Sequence, residues 1–194
     1  MVFIGFSTPR SWNPLSALIR AMMKSRASHV WMLVEDPLFK LRLVLEAHTT
    51  GFRLISLAEF VKDNKIVALV QPADPARLEQ GLPEAGGWLG DQYDVLGLFG
   101  IFLVTIGNWF SRKAAKNFFT SSHALFCSEA VVRVLKAVDY PGTARFGNET
   151  TNPQQLLTFF EQEPGAKITP GEKLKLRHHL KAVGRKRAQR VSAA

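Results

Sequence analysis

The chain has 194 residues, 46% of them hydrophobic and 21% charged, and a formal net charge of +9. This length suits one well-filled core rather than two full domains, and the composition excludes a wholly disordered chain. The single cysteine excludes an internal disulfide, and the scattered histidines leave no spacing for a zinc site. Because the excess positive charge lies beyond Gly171, we predict one folded domain over residues 1–165 and a basic C-terminal tail over residues 166–194.

The chain begins with a predicted strand and helix. Residues 2–6 are rich in strand-forming side chains, and the turn-forming residues at 7–9 predict the end of that strand. Asn13 before Pro14 is typical of a helix start, and apolar residues recur after it at helical spacing up to Met23.

A β-hairpin is predicted next. Two β-rich runs, residues 28–34 and 41–48, flank the turn signal Glu35-Asp36-Pro37. A turn centred near Leu38 places His29 opposite roughly position 47. Period-two alternation then puts Glu46 and His48 on one face of the second run. These are the two polar side chains available to hold His29.

The middle of the chain combines short elements with one long apolar stretch. We predict, in order, a strand over 52–55, a short helix over 56–61, a buried strand over 66–70, a brief helix over 76–81 and a flexible connection at Gly86-Gly87. The apolar run from Val95 to Ile106 is shorter than the roughly 18–20 residues that a membrane-spanning helix needs. This apolar run predicts a buried helix or an interfacial surface. Further along the chain, Asn152-Pro153 predicts the start of a last helix.

The only cysteine, Cys127, lies at or beside the predicted start of a one-sided helix. Apolar residues recur after it at helical spacing, at positions 131, 132, 135 and 138. A thiol in the first turn of a helix lies at the positive end of the helix dipole, which favours the thiolate, the attacking form. The alternative is that Cys127 is a buried packing residue, as free cysteines commonly are.

The order of the motifs resembles a known family. Ser28-His29-Val30 on one strand, Glu46-Ala47 on the next, Tyr93-Asp94-x-Leu96-Gly97-Leu98 and Phe126-Cys127-Ser128-Glu129 follow one another. Together they resemble the circularly permuted NlpC-like papain-fold hydrolases, the YiiX-like branch related to lecithin:retinol acyltransferase. The resemblance covers roughly residues 2–157. It implies an α+β, papain-like fold in which a small antiparallel sheet packs against helices and the nucleophile lies at a helix N-terminus.

The resemblance also implies a Cys–His pair in which the histidine precedes the cysteine. Cys127 matches the nucleophile, His29 the base and Glu46 the orienting residue. Tyr93 matches a tyrosine that commonly lines the site. The chain departs from the family pattern at Trp31, where glycine is frequent, and in the long apolar insertion between Tyr93 and Cys127.

Thiol-dependent acyl transfer needs a base, an acid and a group that orients the base. His29 can serve as base and acid. Glu46 is favoured over the alternative third residue, His48, because a carboxylate both orients an imidazole and stabilises an imidazolium. His123 is a rival base, but an extended lead into the helix carries it too far from Cys127.

The predicted oxyanion donors are the backbone N–H groups of Cys127 and Ser128, at the expected start of the helix. No metal or cofactor is predicted, since Gly97-x-x-Gly100 lacks the lysine and hydroxyl of a phosphate-binding loop.

The predicted activity is that of a cysteine amidase or peptidase acting through an acyl-thioenzyme, with a cell-wall peptide as a candidate substrate. The alternatives are a lipid-directed thiol acyltransferase or lipase and a non-catalytic membrane- or wall-binding module. The basic tail is expected to contact an anionic lipid or wall polymer; nucleic acid would bind only non-specifically, because the tail lacks interleaved aromatic residues. The first residues predict no secretory leader, so we expect a cytoplasmic protein or one delivered to an envelope without a signal peptide.

Overall fold

The computed structural model describes residues 1–37, 40–48, 51–90, 123–148 and 151–174. Its strands are β1 (Val2–Pro9), β2 (His29–Asp36), β3 (Leu41–His48), β4 (Gly51–Ser56), β5 (Asn64–Gln71) and β6 (Lys167–Pro170). Its helices are α1 (Pro14–Met22), α2 (Leu57–Asp63), α3 (Pro75–Gln80), α4 (Leu82–Gly86), α5 (His123–Ala137) and α6 (Pro153–Glu161).

The strands form one six-stranded sheet in the order β4-β3-β2-β1-β5-β6, and each neighbouring pair is antiparallel. Helices pack on this sheet, so the predicted α+β class is confirmed. The predicted hairpin is also present as β2 and β3, with Met32 opposite Leu45. The strand predicted over residues 66–70 is inside the sheet, as its apolar composition indicated.

Polar side chains start several of the helices as the sequence predicts. Asn13 accepts a hydrogen bond from the Ser16 N–H at 2.9 Å, and Ser56 accepts one from the Glu59 N–H at 3.2 Å. Asn152 and Gln155 form a reciprocal capping box at the start of α6. Each cap satisfies backbone N–H groups that the first helical turn leaves unpaired.

The sheet has an apolar layer on each face. The larger layer packs α5 and α6 against the sheet and includes Ile4, Met32, Val131, Leu135 and Leu156. The smaller layer packs α2 against the opposite face and includes Trp31, Leu33, Val44, Phe60 and Ile66. Adjacent residues of β2, such as Trp31 and Met32, contribute to different layers because side chains alternate across a strand.

Two element boundaries differ from the sequence prediction, and the sheet includes residues beyond 165. β1 continues to Pro9, since the buried Ser7 pairs with both β2 and β5 and the buried Thr8 pairs with β5, and this pairing outweighs the local turn signal. The connection expected at Gly86-Gly87 is preceded by helix α4, in which Ala85 is buried. β6 pairs with β5 through Ile168 and Val70, so the sheet runs past the expected domain boundary at residue 165.

No helix in the described part of the chain is long and apolar enough to cross a membrane. The apolar run from Val95 to Ile106 and the basic residues from 175 onward lie outside the described residues, as does the turn centre at Leu38.

Gly5 makes room for the largest buried side chain of the sheet. It lies directly opposite Trp31, and a Cβ added at Gly5 would lie 2.3 Å from the Trp31 ring. The indole crosses over this position, and its Nε1 donates a hydrogen bond to Ser7 Oγ at 3.1 Å. Gly5 on the neighbouring strand thus accommodates the Trp31 ring.

We expect Gly5→Ala to lower the free energy of unfolding by about 1–3 kcal/mol, because overpacking forces a buried ring off its position. Urea unfolding followed by tryptophan fluorescence measures the change. Gly86→Ala is the matched control, since nothing lies within 4 Å of a Cβ added there. Equal stability of the two variants would show that the Trp31 contact does not restrict position 5.

Candidate active site

The candidate site lies at the end of the sheet where β2 begins. His29 is the first residue of β2 and is paired with Ser7 on β1. Its ring contacts Phe60 of the smaller apolar layer, with the ring centroids 6.4 Å apart, and it is hydrogen-bonded to Cys127 of the larger layer. His29 therefore joins groups from the two faces of the sheet.

β2 and β3 separate at this end. Among the described residues, their ladder runs from Met32–Leu45 to Asp36–Leu41 and does not include the first residues of β2. Val30 lies in that stretch, and its backbone N–H donates a hydrogen bond to the sulfur of Cys127. An opening between two strands thus provides a backbone donor for the thiol from α5.

Glu46 holds the other side of the histidine ring. Its Oε2 lies 2.7 Å from His29 Nε2, and its side chain is only 1% exposed, against 18% for His29. Because Nε2 is bonded to Glu46, Nδ1 is the ring nitrogen left for Cys127. The structure therefore brings together Cys127, His29 and Glu46, the three residues that the sequence singled out.

His48 lies one strand pleat beyond Glu46 on β3. Burial, followed by the charge of Arg53, lowers its pKa, so the ring is held neutral. A neutral imidazole supplies no negative charge to stabilise an imidazolium, and the carboxylate bonded to His29 is that of Glu46.

Cys127 is not in the first turn of its helix. Helix α5 begins at His123, so Cys127 is the fifth residue and opens the second turn. An α-helical N–H bonds to the carbonyl four residues earlier, and the carbonyl of His123 therefore faces the Cys127 N–H. Cys127 and Ser128 are therefore not at the helix start, where their N–H groups were expected to serve as oxyanion donors. The residues that follow His123 are helical rather than the extended lead that the sequence predicts.

The surroundings of the thiol favour its ionised form by other means. Cys127 is 4% exposed, and burial by itself raises the pKa of a thiol. The hydrogen bond from His29 and the charge of its ring outweigh burial and lower the pKa of Cys127. The Val30 N–H and the hydroxyl of the fully buried Ser128 act in the same direction.

The histidine and the carboxylate are shifted in matching directions. Burial opposes a charged ring, yet the hydrogen bonds and charges of Cys127 and Glu46 raise the pKa of His29 to about 10. Burial also opposes ionisation of Glu46, but His29 and Arg53 lower the pKa of this carboxyl. These shifts favour a thiolate, an imidazolium and a carboxylate in series.

Arg53 is a member of the site that the sequence analysis missed. It lies directly opposite Glu46 on β4, and its Nε and Nη2 are 2.9 Å and 2.6 Å from Glu46 Oε1. The signal that could have found it is the β3–β4 register, which requires knowing that the strand resumes at Gly51.

Two further residues named by the sequence analysis lie wholly or partly outside the described part of the chain. Tyr93, the residue expected to line the site, is one of them. The backbone of His123 begins α5, but its side chain is not among those described. Within the described part of the chain, no group of three or more His, Cys, Asp or Glu side chains could hold a metal ion.

A scan against models of known protein families finds no match for this chain, and a search of curated proteins finds no sequence relative. The interpretation of the site therefore depends on its geometry.

The rate of Cys127 alkylation rises with pH as the thiol ionises, and we call this rising part of the profile the acid limb. We expect His29→Ala to move the acid limb to higher pH, because the thiolate loses its cationic partner while it stays buried. On that limb, alkylation slows about tenfold for each pH unit by which the limb moves. Iodoacetamide labelling read by intact mass measures it without ambiguity, since the chain has one cysteine.

His48→Ala is the matched control, with an expected limb close to that of the unmodified protein. A larger displacement of the limb in His48→Ala than in His29→Ala would assign the supporting role to His48 instead.

Proposed function

We propose that this chain is a cysteine hydrolase with a papain-like, permuted NlpC-type fold, and that it cleaves an amide or ester through an acyl-thioenzyme. The observation that most supports the proposal is the hydrogen-bonded series from Cys127 through His29 to Glu46. A cysteine that only fills space needs no histidine and no buried carboxylate behind it.

The charges of the series also support catalysis rather than packing. Burying a carboxylate and an imidazolium costs free energy unless both are paired, and such arrangements concentrate at functional sites. Here Glu46 and His29 pair with each other, and the hydrogen bond and charge of His29 lower the pKa of Cys127. A thiolate beside a protonated base is the resting state from which thiol-dependent acyl transfer starts.

In the proposed reaction the Cys127 thiolate attacks the substrate carbonyl carbon, and the electron pair of the carbonyl π bond moves to its oxygen. As that pair returns, the bond to the leaving group breaks and His29 donates its proton to the departing amine or alkoxide. Water then attacks the thioester while His29 takes up its proton. Collapse releases the acid and restores the thiolate–imidazolium pair. Glu46 keeps the ring oriented and stabilises its charged form.

The candidate substrate is a cell-wall peptide amide, which follows from the resemblance to NlpC-like hydrolases. The proposal extends to the basic tail as a contact for an anionic wall polymer or lipid, with no cofactor required. Cleavage of defined peptidoglycan fragments would identify the scissile bond once thiol chemistry is established.

The proposed chemistry predicts a burst of nitrophenolate when the protein is mixed with p-nitrophenyl acetate, followed by slower turnover. Intact mass should show one acetyl group, and Cys127→Ala should lose both the adduct and the turnover. For an amide substrate, whose amine leaving group needs a proton, acylation should fall as the pH rises through about 10, where His29 loses that proton.

An unmodified protein whose thiol stays inert until unfolding contradicts the hydrolase and favours the non-catalytic binding module. Acetylation without turnover shows that the acyl-enzyme is not hydrolysed in water, and would redirect the proposal to acyl transfer.

A lipid-linked acyl group is the second candidate substrate, and Trp12 is the observation that favours it. Trp12 is 83% exposed and lies between the end of β1, which pairs with the start of β2, and helix α1. Indole side chains are enriched at membrane interfaces, where the ring is partly buried and its N–H stays hydrated. An exposed tryptophan near the His29 end of the sheet is suited to approach a lipid surface.

We expect Trp12→Ala to weaken co-sedimentation with anionic phosphatidylglycerol liposomes without changing the p-nitrophenyl acetate burst, because Trp12 is outside the hydrogen-bonded series. Leu89→Ala removes another exposed apolar side chain and is the control. Equal sedimentation of the unmodified protein and Trp12→Ala would remove the support that Trp12 gives to a lipid substrate.

A further inference from the structure

Glu46 divides its two carboxylate oxygens between two cationic groups. Oε2 accepts from His29 Nε2 at 2.7 Å, whereas Oε1 accepts from both Nε and Nη2 of Arg53, at 2.9 Å and 2.6 Å. The side chain of Arg53 is 35% exposed, so the guanidinium reaches from the surface to a carboxylate that is only 1% exposed. The contact holds the carboxylate so that its other oxygen is directed to the histidine.

The second cation matters because His29 does not keep its charge during the proposed reaction. When the imidazolium gives its proton to the leaving group, Glu46 loses the positive charge on one side. A buried carboxylate without a cation tends to take up a proton. A guanidinium does not donate its proton in acid–base steps of this kind, so Arg53 is the cation that stays bonded to Glu46 at that stage.

We infer that Arg53 is a positioning residue of the site: its guanidinium keeps Glu46 ionised and turned toward His29 throughout the reaction cycle. The inference rests on the proposed function, because it assigns Arg53 a role in maintaining the thiolate–imidazolium pair. Arg53 acts through Glu46 and His29 and touches no reacting atom.

The ionisable groups of the site come from several elements of the fold: His29 on β2, Glu46 and His48 on β3, Arg53 on β4, Asp63 at the end of α2, and Cys127 on α5. His48 interacts with the charges of both Arg53 and Asp63. Without Arg53, His48 can take up a proton more readily and replace part of the lost positive charge. The experiment therefore needs a variant that removes this replacement.

The alternative is that Arg53 and Glu46 form an ordinary cross-strand ion pair that only supports the sheet. The same hairpin region contains such a pair, Arg42 on β3 with Glu35 on β2, at 2.9 Å and with side chains 44% and 34% exposed. Arg42→Met removes the same chemical group from the same kind of contact, but the carboxylate left behind is solvated. It is the matched control for Arg53→Met.

The experiment measures the pH dependence of Cys127 alkylation by iodoacetamide in Arg53→Met, alone and combined with His48→Gln. We expect the acid limb to move to higher pH in Arg53→Met, with alkylation on that limb slowed about tenfold for each pH unit that it moves and unchanged on the alkaline plateau. Arg53→Lys keeps the charge without the two-donor geometry and should lie between Arg53→Met and the unmodified protein. The limb of Arg42→Met should not move.

The shape of the pH profile distinguishes a positioning role from a general loosening of the fold. Loosening exposes the thiol and changes the alkylation rate at all pH values, including those of the alkaline plateau. Arg53→Gln replaces Arg53→Met if the latter does not give a native far-UV circular dichroism spectrum. The inference is overturned if Cys127 of the unmodified protein is alkylated as a thiolate at low pH and the acid limb does not move in Arg53→Met or Arg53→Gln. The same result must hold when His48→Gln is also present. A thiol that is unreactive in every folded variant overturns the proposed function itself, which is a different result.

Discussion

Glu46 is a carboxylate buried inside a small sheet, and its need for partners constrains the surrounding site. A charge in this position is tolerated only when cations and hydrogen-bond donors surround it. His29 and Arg53 supply them from the strands on either side of β3. The registers of three neighbouring strands must therefore agree, because a slip of one residue would turn Glu46 to the opposite face.

The series of charges crosses from one layer of the fold to the other. Glu46 follows Val44 by two residues on β3 and so shares the face that packs on α2, whereas Cys127 belongs to the layer of α5 on the opposite face. The two groups are connected at the first residues of β2, which pair with β1 but not with β3. His29 occupies this end, and the Val30 N–H is directed to the sulfur. The site thus lies where β2–β3 pairing does not extend to the first residues of β2.

This geometry changes the physical explanation for an ionised thiol. The sequence suggested the helix dipole, which acts on the first turn, but Cys127 opens the second turn of α5. Direct hydrogen bonds from His29, Val30 and Ser128 supply the stabilisation instead. The bonds from His29 and Val30 form only where β2 and α5 come into contact. They therefore stabilise the thiolate of this one cysteine, whereas a helix terminus favours any negative charge placed in its first turn.

The sequence by itself determined the elements whose signals are local. The caps at Asn13, Ser56 and Asn152 and the alternation of the β2–β3 hairpin are properties of adjacent residues. The same alternation places Glu46 and His48 on one face of their strand, and the preference for a carboxylate beside an imidazolium favoured Glu46 as the partner of His29.

Only the tertiary structure decided the rest. The extension of β1 to Pro9 and the pairing of β6 with β5 require neighbouring strands that are distant in sequence. Three further contacts also join residues from separate elements: Arg53 with Glu46, Trp31 with Gly5, and Cys127 with His29. The physical reason is that local backbone preference specifies an element, whereas burial, register and paired charges depend on which elements become neighbours.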